Sequence, residues 1–191
     1  IRRFGGFGET ELEQKSVTFE KMTLTDVGPF KGVHTLEFQK HMGLTLVSAT
    51  RSDHNGTSTV DSNGCGKSLL TTGALLLALT GEADPRPSLD GRIKPPSTAL
   101  KHNGKTGMSV VLIGKMNGMS FRITRILRTA GGKRHTLTFE TKHADDDVWK
   151  NETRTTLKLT QQDVNMVLFN LPKGSNVQEF VLQTMLWCQH T

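Results

Sequence analysis

The segment Asn63-Gly64-Cys65-Gly66-Lys67-Ser68 has the residue types and spacing that surround a phosphate chain. Glycines let the backbone come close to a phosphate, and successive backbone N–H groups at a helix N-terminus bind its oxygens. In such a loop the lysine reaches the β- and γ-phosphates, and the following serine binds Mg²⁺. We therefore predict that Asn63, Gly64, Cys65, Gly66, Lys67 and Ser68 bind ATP, with Mg²⁺ on Ser68.

The elements on either side of this phosphate loop (P-loop) fit the prediction. Leu44 to Ala49 is a short apolar run, which is typical of a buried central strand. Ser68 to Leu79 is almost wholly apolar, which predicts a helix buried on most sides and ended by Gly81 and Pro85. A loop between a buried strand and a buried helix is the setting that phosphate binding requires.

Position 61 departs from the full pattern G-x-x-x-x-G-K-S, because the chain has Asp61 where the first glycine belongs. Aspartate tolerates left-handed backbone, but its carboxylate repels phosphates unless it points away. The polar stretch from Thr50 to Val60 is also unusual between a strand and its loop. Two alternatives therefore stay open: a glycine-rich turn that only resembles a P-loop, and a derived loop that binds nucleotide weakly.

The rest of the chain predicts an α/β fold with a mixed sheet, in which antiparallel strands precede and follow the P-loop helix. Asn117-Gly118 separates two alternating runs, as in a β-hairpin. The predicted strands are Phe19 to Thr25, Val33 to Phe38, Met108 to Ile113, Met119 to Ile126, His135 to Thr141 and Thr155 to Leu159. The predicted helices after the P-loop helix are Gln161 to Phe169 and Val177 to Cys188, and Asp84 to Pro96 is predicted as a proline-rich loop.

Composition limits the class of protein. The 191 residues fit one domain, and no apolar run approaches the roughly 18 residues of a membrane span. Two cysteines are too few for a disulfide framework, so we expect an intracellular protein with no membrane partner. The start at Ile1 and the end directly after an apolar run predict a piece of a longer protein. Residues 1–16 are expected to form a flexible arm, and residues 17–191 one lobe.

Four further segments follow one another along the chain in an order that resembles a known protein family. They are Lys21 to Gly32, Ala78-Leu79-Thr80-Gly81-Glu82, Leu100 to Leu112, and Phe180 to Gln189. Together with the P-loop they resemble the N-terminal lobe of an ABC-type ATPase head of the SMC, SbcC and RecF group. Within that group the SbcC branch and its eukaryotic double-strand-break repair counterpart are favoured, and the SMC proteins fit nearly as well.

The resemblance implies roles and partners beyond the P-loop. It implies that Gln189 contacts Mg²⁺ and the attacking water, although a polar residue ending a helix is the plainer interpretation. It also implies a C-terminal lobe beyond a coiled coil, a second ATPase head, a nuclease or kleisin-type subunit, and a place in the nucleus or on the nucleoid. The chain has no Walker B strand ending in Asp-Glu, so we expect this lobe alone to bind ATP without hydrolysing it.

A basic cluster suggests a DNA surface. Arg122, Arg125, Arg128, Lys133 and Arg134 lie in a short span, and the net charge is +6. Alternation along the strand places Arg122 and Arg125 on opposite faces, so Arg128, Lys133 and Arg134 are the favoured DNA contacts. The alternative is an ordinary solvated basic face. Likewise, Asp145-Asp146-Asp147 fits an exposed loop tip better than a cation site.

Two other functions compete with the ATPase lobe. A small-molecule kinase needs a lid and a catalytic base after the P-loop helix, but the chain has a strand-rich region there. A non-hydrolysing scaffold with a degenerate P-loop is compatible with Asp61. The sequence beyond Thr191 would discriminate among these three functions. Of the three, only the ATPase lobe is expected to be followed by a long heptad region and a Walker B strand.

Overall fold

The computed structural model describes residues 16–38, 51–52, 58–59, 66–82, 100–130 and 135–184, and for 51–52, 58–59 and 182–184 it describes the backbone alone. The expected arm (residues 1–16, except Ser16), the predicted strand Leu44 to Ala49 and the predicted loop Asp84 to Pro96 lie outside these residues. So do residues 185–191, which end the predicted last helix.

A six-stranded antiparallel sheet forms the centre of the described fold. Its order is β2-β1-β5-β6-β7-β8, and β3 and β4 form a separate two-stranded pair. The strands are β1 Val17–Val27, β2 Phe30–Glu37, β3 Arg51–Ser52, β4 Ser58–Thr59, β5 Gly107–Met116, β6 Met119–Arg128, β7 His135–Lys142 and β8 Lys150–Asn151.

Alternation along these strands buries one face of the sheet. On β5 the even-numbered residues from Met108 to Met116 face the core, and on β6 the odd-numbered residues from Phe121 to Leu127 do so. Since the side-chain period of a strand is two, this register leaves the intervening residues on the outer face. The strand predictions for β1, β2, β5, β6 and β7 are confirmed, with somewhat longer strands than predicted.

The predicted hairpin at Asn117-Gly118 is also confirmed. Both residues have positive φ, 46° and 80°, which is the two-residue turn that matches the twist of antiparallel strands. In the β1–β2 turn, Gly28 and Pro29 alone separate the two strands.

A buried helix crosses the core face of the sheet. Its first part, Leu69–Gly73, is π-helical, and its second part, α1 Ala74–Thr80, is α-helical. We call Leu69–Thr80 together the P-loop helix. Every residue from Ala74 to Leu79 is buried, and α1 packs against β5, β6 and the last helix, α3 Val177–Thr184. Gly81 ends the helix with φ +90°, as predicted.

The helix α2, Leu157–Phe169, packs on β7 and corrects one prediction. Thr155 to Leu159 was predicted as a strand, but the helix already begins at Leu157. Thr156 caps it, because its hydroxyl accepts a hydrogen bond from the backbone N–H of Leu159 at 3.3 Å. A threonine cap of this kind satisfies one of the free N–H groups of the first turn and outweighs the strand preference of the neighbouring threonines.

The α/β class is therefore confirmed, but the described six-stranded sheet contains only antiparallel pairs. A P-loop fold also has parallel strands around its loop. The predicted strand that would supply one, Leu44 to Ala49, lies outside the described part of the chain. Among the described residues, no helix is long and apolar enough to cross a membrane.

Candidate functional site

The N-terminal end of the P-loop helix holds the last three residues of the predicted phosphate loop. Gly66 has φ +85°, and its carbonyl accepts a hydrogen bond from the N–H of Leu70 at 2.8 Å. Lys67 is half-buried and Ser68 is exposed. The helical backbone thus begins directly at Lys67 and Ser68, where the first N–H groups have no intrahelical acceptor and favour an anion.

The β1–β2 turn packs directly on this end of the helix. A Cβ at Gly66 would lie 2.6 Å from Cγ of Pro29 and 3.2 Å from Cε2 of Phe30, and a Cβ at Gly28 would overlap the side chain of Leu69. Gly28 also has positive φ, 55°. Glycine at position 66 is therefore required by packing and by its backbone conformation, independently of any phosphate.

Three polar side chains brace the same turn. Asp26 accepts the N–H of Gly32 at 2.8 Å and pairs with Lys105 at 3.5 Å, and His102 Nδ1 lies 2.8 Å from the carbonyl oxygen of Gly28. The hydrogen bond from the Gly32 N–H is the main reason that the pKa of Asp26 is lowered, and Lys105 adds to it. The surface against which Gly66 packs is thus fixed by its own hydrogen bonds.

The other predicted nucleotide and magnesium residues lie outside the described residues. They are Asn63, Gly64, Cys65 and Gln189, and Asp61 lies outside as well. Within the described ranges, no group of three or more His, Cys, Asp or Glu side chains could hold a metal ion. ATP and Mg²⁺ therefore remain predictions, and Ser68 is the one predicted magnesium ligand whose position is described.

The C-terminal end of the P-loop helix is held by a buried arginine. Arg125, fully buried on the core face of β6, donates from Nε to the carbonyl of Ala78 at 2.7 Å and from Nη2 to that of Leu79 at 3.4 Å. Nη2 also donates to the side-chain oxygen of Gln161 on α2, and Nη1 lies 3.2 Å from His135 Nε2. Within the described part of the chain, no carboxylate pairs with Arg125.

Burial and charge set the protonation of this cluster. Burial lowers the pKa of Arg125 to about 9, so the guanidinium is charged at neutral pH. Burial, and then the charge of Arg125, lower the pKa of His135 to about 4. A guanidinium has no acceptor, so His135 Nε2 must accept the hydrogen bond, which requires a neutral ring with its proton on Nδ1.

Gln161 completes the arrangement. Its side-chain NH₂ donates to the carbonyl of Leu79 at 2.8 Å and to the side-chain oxygen of Asn165 at 2.7 Å. Two elements, β6 and α2, therefore bind the same helix end. Every buried side-chain nitrogen and oxygen of the described residues has a hydrogen-bond partner.

The basic cluster predicted as a DNA surface is divided by the structure. Arg125 lies in the core, so it contributes nothing to a surface, and the prediction that it could is wrong. Arg122 lies on the opposite face, as alternation predicts, and Arg128 is exposed at the end of β6. Lys133 and Arg134 lie outside the described residues.

Arg122 is already engaged on the outer face. It makes two hydrogen bonds of 2.6 Å to the carboxylate of Glu140, and its Cζ lies 4.7 Å from the ring centroid of Trp149. Glu140 raises the pKa of Arg122 by hydrogen bonding. Trp149 thus packs on a side chain of its own chain. The predicted exposure of Asp145, Asp146 and Asp147 is confirmed.

The Arg125 cluster is the feature that the sequence analysis missed. The signal was present, because Arg125 shares the parity of Phe121, Ile123 and Leu127, which are all apolar. An arginine at a core-facing position must find acceptors inside the protein. The strand pattern did not identify those acceptors, because three of them come from residues 36 to 47 positions away and His135 lies on the next strand.

Comparison with known proteins assigns no relative: no protein-family model matches the chain, and no curated protein matches it significantly.

Proposed function

We propose that the chain is the ATP-binding N-terminal lobe of an SMC/SbcC-like ABC-type ATPase head that acts on DNA. The observation that carries the proposal is the N-terminal end of the P-loop helix. Gly66, in left-handed backbone, leads directly into Lys67 and Ser68 at the start of a helix that is buried on the sheet.

Electrostatics support an anionic ligand at this end. A helix N-terminus carries about half a positive charge, and a lysine there adds to it. The first turn of the P-loop helix contains no acidic residue. A phosphate chain would be attracted to both charges, and the exposed Ser68 is accessible to the Mg²⁺ that accompanies it.

The arrangement of strands supports the head-lobe assignment. Antiparallel strands come before the P-loop helix, as β1 and β2, and after it, as β5 to β7, which is the order that the resemblance implies. A complete head would add a C-terminal lobe with the Walker B carboxylates and a second head. Hydrolysis would depend on them, because phosphoryl transfer needs groups that orient water and stabilise the developing charge.

The test of nucleotide binding is a titration of a labelled, non-hydrolysable ATP analogue with Mg²⁺. Lys67→Ala removes the side-chain charge directed at the phosphates, so we expect affinity to fall by at least about tenfold. Lys115→Ala is the matched control, since Lys115 pairs with Glu20 at 2.8 Å on the outer face and should not affect binding. Equal affinities for wild type and Lys67→Ala would reject the proposal.

A non-nucleotide-binding scaffold is the second candidate. It is favoured by the packing of Gly66 on Pro29, which gives that glycine a structural reason for its presence, and by Asp61 in the loop. Under this hypothesis the wild-type chain fails to bind the ATP analogue, whereas a substitution of Gly66 still destabilises the fold.

A further inference from the structure

From Ala74 to Leu79 the P-loop helix has no polar side chain that could fix its rotation on the sheet. The segment from Ala74 to Leu79 contains only alanine and leucine, and all six residues are buried. Burial of apolar surface is non-directional, so several rotations or small translations of such a helix would bury similar area. Directional hydrogen bonds are needed to select one position.

Arg125 and Gln161 supply those bonds at the C-terminal end. Arg125 occupies a core-facing position on β6, and the two adjacent core-facing positions hold the apolar side chains of Ile123 and Leu127. Its planar group donates to two successive helix carbonyls while it also binds α2 through Gln161, and Gln161 itself donates to one of the two carbonyls. A planar guanidinium that is hydrogen-bonded to two carbonyls fixes both the rotation of the helix about its axis and its position along that axis.

We infer that Arg125 is a positioning residue for the phosphate loop: by holding the C-terminal end of the P-loop helix, it sets where Lys67 and Ser68 stand at the other end. The two ends lie on one helix that extends about 20 Å, and a helix of this length transmits a shift of one end to the other. The inference rests on the proposed nucleotide binding for its functional consequence, but not for its structural part.

The test compares three variants with one control. Arg125→Met keeps an unbranched side chain, shorter than that of arginine, and removes the donors, whereas Arg125→Lys keeps the charge and a single donor group. Gln161→Ala removes the second anchor and leaves Arg125 in place, so it serves if Arg125→Met does not fold. Ile123→Ala is the control, because Ile123 lies two residues away on the same strand face and is equally buried.

The structural readout is amide hydrogen exchange. We expect Arg125→Met and Gln161→Ala to accelerate exchange selectively at amides of the P-loop helix, Leu70 and Ala74 among them, relative to amides of β5 and β6. Ile123→Ala should accelerate exchange across the sheet and the helix alike. If the helix amides respond no more selectively to Arg125→Met and Gln161→Ala than to Ile123→Ala, the inference is overturned.

The functional readout is the affinity for the non-hydrolysable ATP analogue with Mg²⁺, measured where all variants are folded. Arg125→Met should weaken binding by about tenfold, because a small misplacement of binding groups has a large effect on their interactions. Arg125→Lys should recover part of this loss, and Ile123→Ala should stay within about twofold of wild type. An affinity unchanged by Arg125→Met, with binding intact in wild type, would also overturn the inference.

A failure of the proposed function would look different. In that case the wild-type chain would not bind the analogue at all, and the exchange comparison alone would decide whether Arg125 positions the helix.

Discussion

The two ends of the P-loop helix are built on opposite principles. At the C-terminal end, the carbonyls of Ala78 and Leu79 bind a fully buried guanidinium and a side-chain amide. At the N-terminal end, Ser68 is exposed, and the glycine before Lys67 packs on a braced turn. The carbonyls at one end bind buried side chains of the same chain, whereas the other end exposes Ser68.

The helix dipole explains what this difference means. The C-terminal end carries partial negative charge, and Arg125 compensates it from inside the protein. The N-terminal end carries partial positive charge, yet its first turn has no acidic residue and Lys67 adds a further positive charge. Arg125 therefore compensates the C-terminal end of the dipole from inside the protein, and a bound anion would be favoured at the N-terminal end.

The largest expected effect on stability is at the C-terminal end. Arg125→Met leaves the buried acceptors at Ala78, Leu79 and His135 without this donor, so we expect the free energy of unfolding to fall by about 2–4 kcal/mol. Arg128→Met is the control, because Arg128 is exposed at the end of the same strand, and its effect should be within about 0.5 kcal/mol. Urea denaturation measures the free energy of unfolding of both variants. A similar small loss in the two variants would show that the C-terminal cluster contributes little.

The same substitution at both ends tests whether they differ in function. Gly66→Ala and Gly81→Ala each place a side chain at positive φ, +85° and +90°, and we expect each to lower stability by about 1–2 kcal/mol. Gly66→Ala should also abolish binding of the ATP analogue, whereas Gly81→Ala should reduce it far less.

Gly104→Ala is the control for backbone strain alone, because Gly104 has φ +78° and a Cβ there would meet no atom within 4 Å. If Gly66→Ala binds the analogue as well as Gly104→Ala does, the N-terminal end has no special role in nucleotide binding.

A smaller effect on stability is expected when the pH is lowered, and it arises at the C-terminal end of the P-loop helix. The unfolded chain protonates His135 near pH 6.5, whereas the folded chain does so only near pH 4. Between these values the unfolded state binds more protons, so the free energy of unfolding falls as the pH is lowered from about 6.5 to 4. Since His135 is only partly buried, solvent screening reduces the expected loss to about 1–2 kcal/mol.

His135→Gln keeps a hydrogen-bond acceptor without a titrating ring. Denaturation midpoints for this variant should therefore depend less on pH across the same window than those of wild type. Identical slopes for the two proteins would mean that the Arg125–His135 contact does not contribute to acid sensitivity.

The smallest effect concerns DNA. The favoured contact is the basic cluster of Arg128, Lys133 and Arg134, of which Arg128 is exposed at the end of β6. If this cluster binds phosphates, loss of each contact should reduce the slope of log affinity against log salt by about one unit. Duplex binding by Arg128→Ala and by Lys133→Ala/Arg134→Ala measures this.

Lys115→Ala is again the control, since Lys115 lies at the opposite end of the β5–β6 pair from Arg128. A slope that changes equally in Lys115→Ala and in the variants of Arg128, Lys133 and Arg134 would indicate diffuse charge rather than a localised DNA contact.

The sequence alone determined the local elements. Asn117-Gly118 predicted its hairpin, because few residues accept two successive positive φ values, and the alternation on β5 and β6 predicted which face is buried. The run from Ala74 to Leu79 predicted a helix buried on most sides. The start of α2 was missed, because Thr156 can serve a strand or a helix cap, and only the chain that follows it selects between them.

Only the tertiary structure decided the role of Arg125. Its spacing relative to Arg122 and Arg128 suggested a basic surface, and the helix carbonyls that accept its hydrogen bonds lie 46 and 47 positions away in sequence. The carbonyls of Ala78 and Leu79 are free to accept because they end a helix, and they reach Arg125 only when that helix crosses the sheet. Which residues meet across that distance depends on how the helix packs on the sheet, and the local conformational preferences of the residues do not specify it.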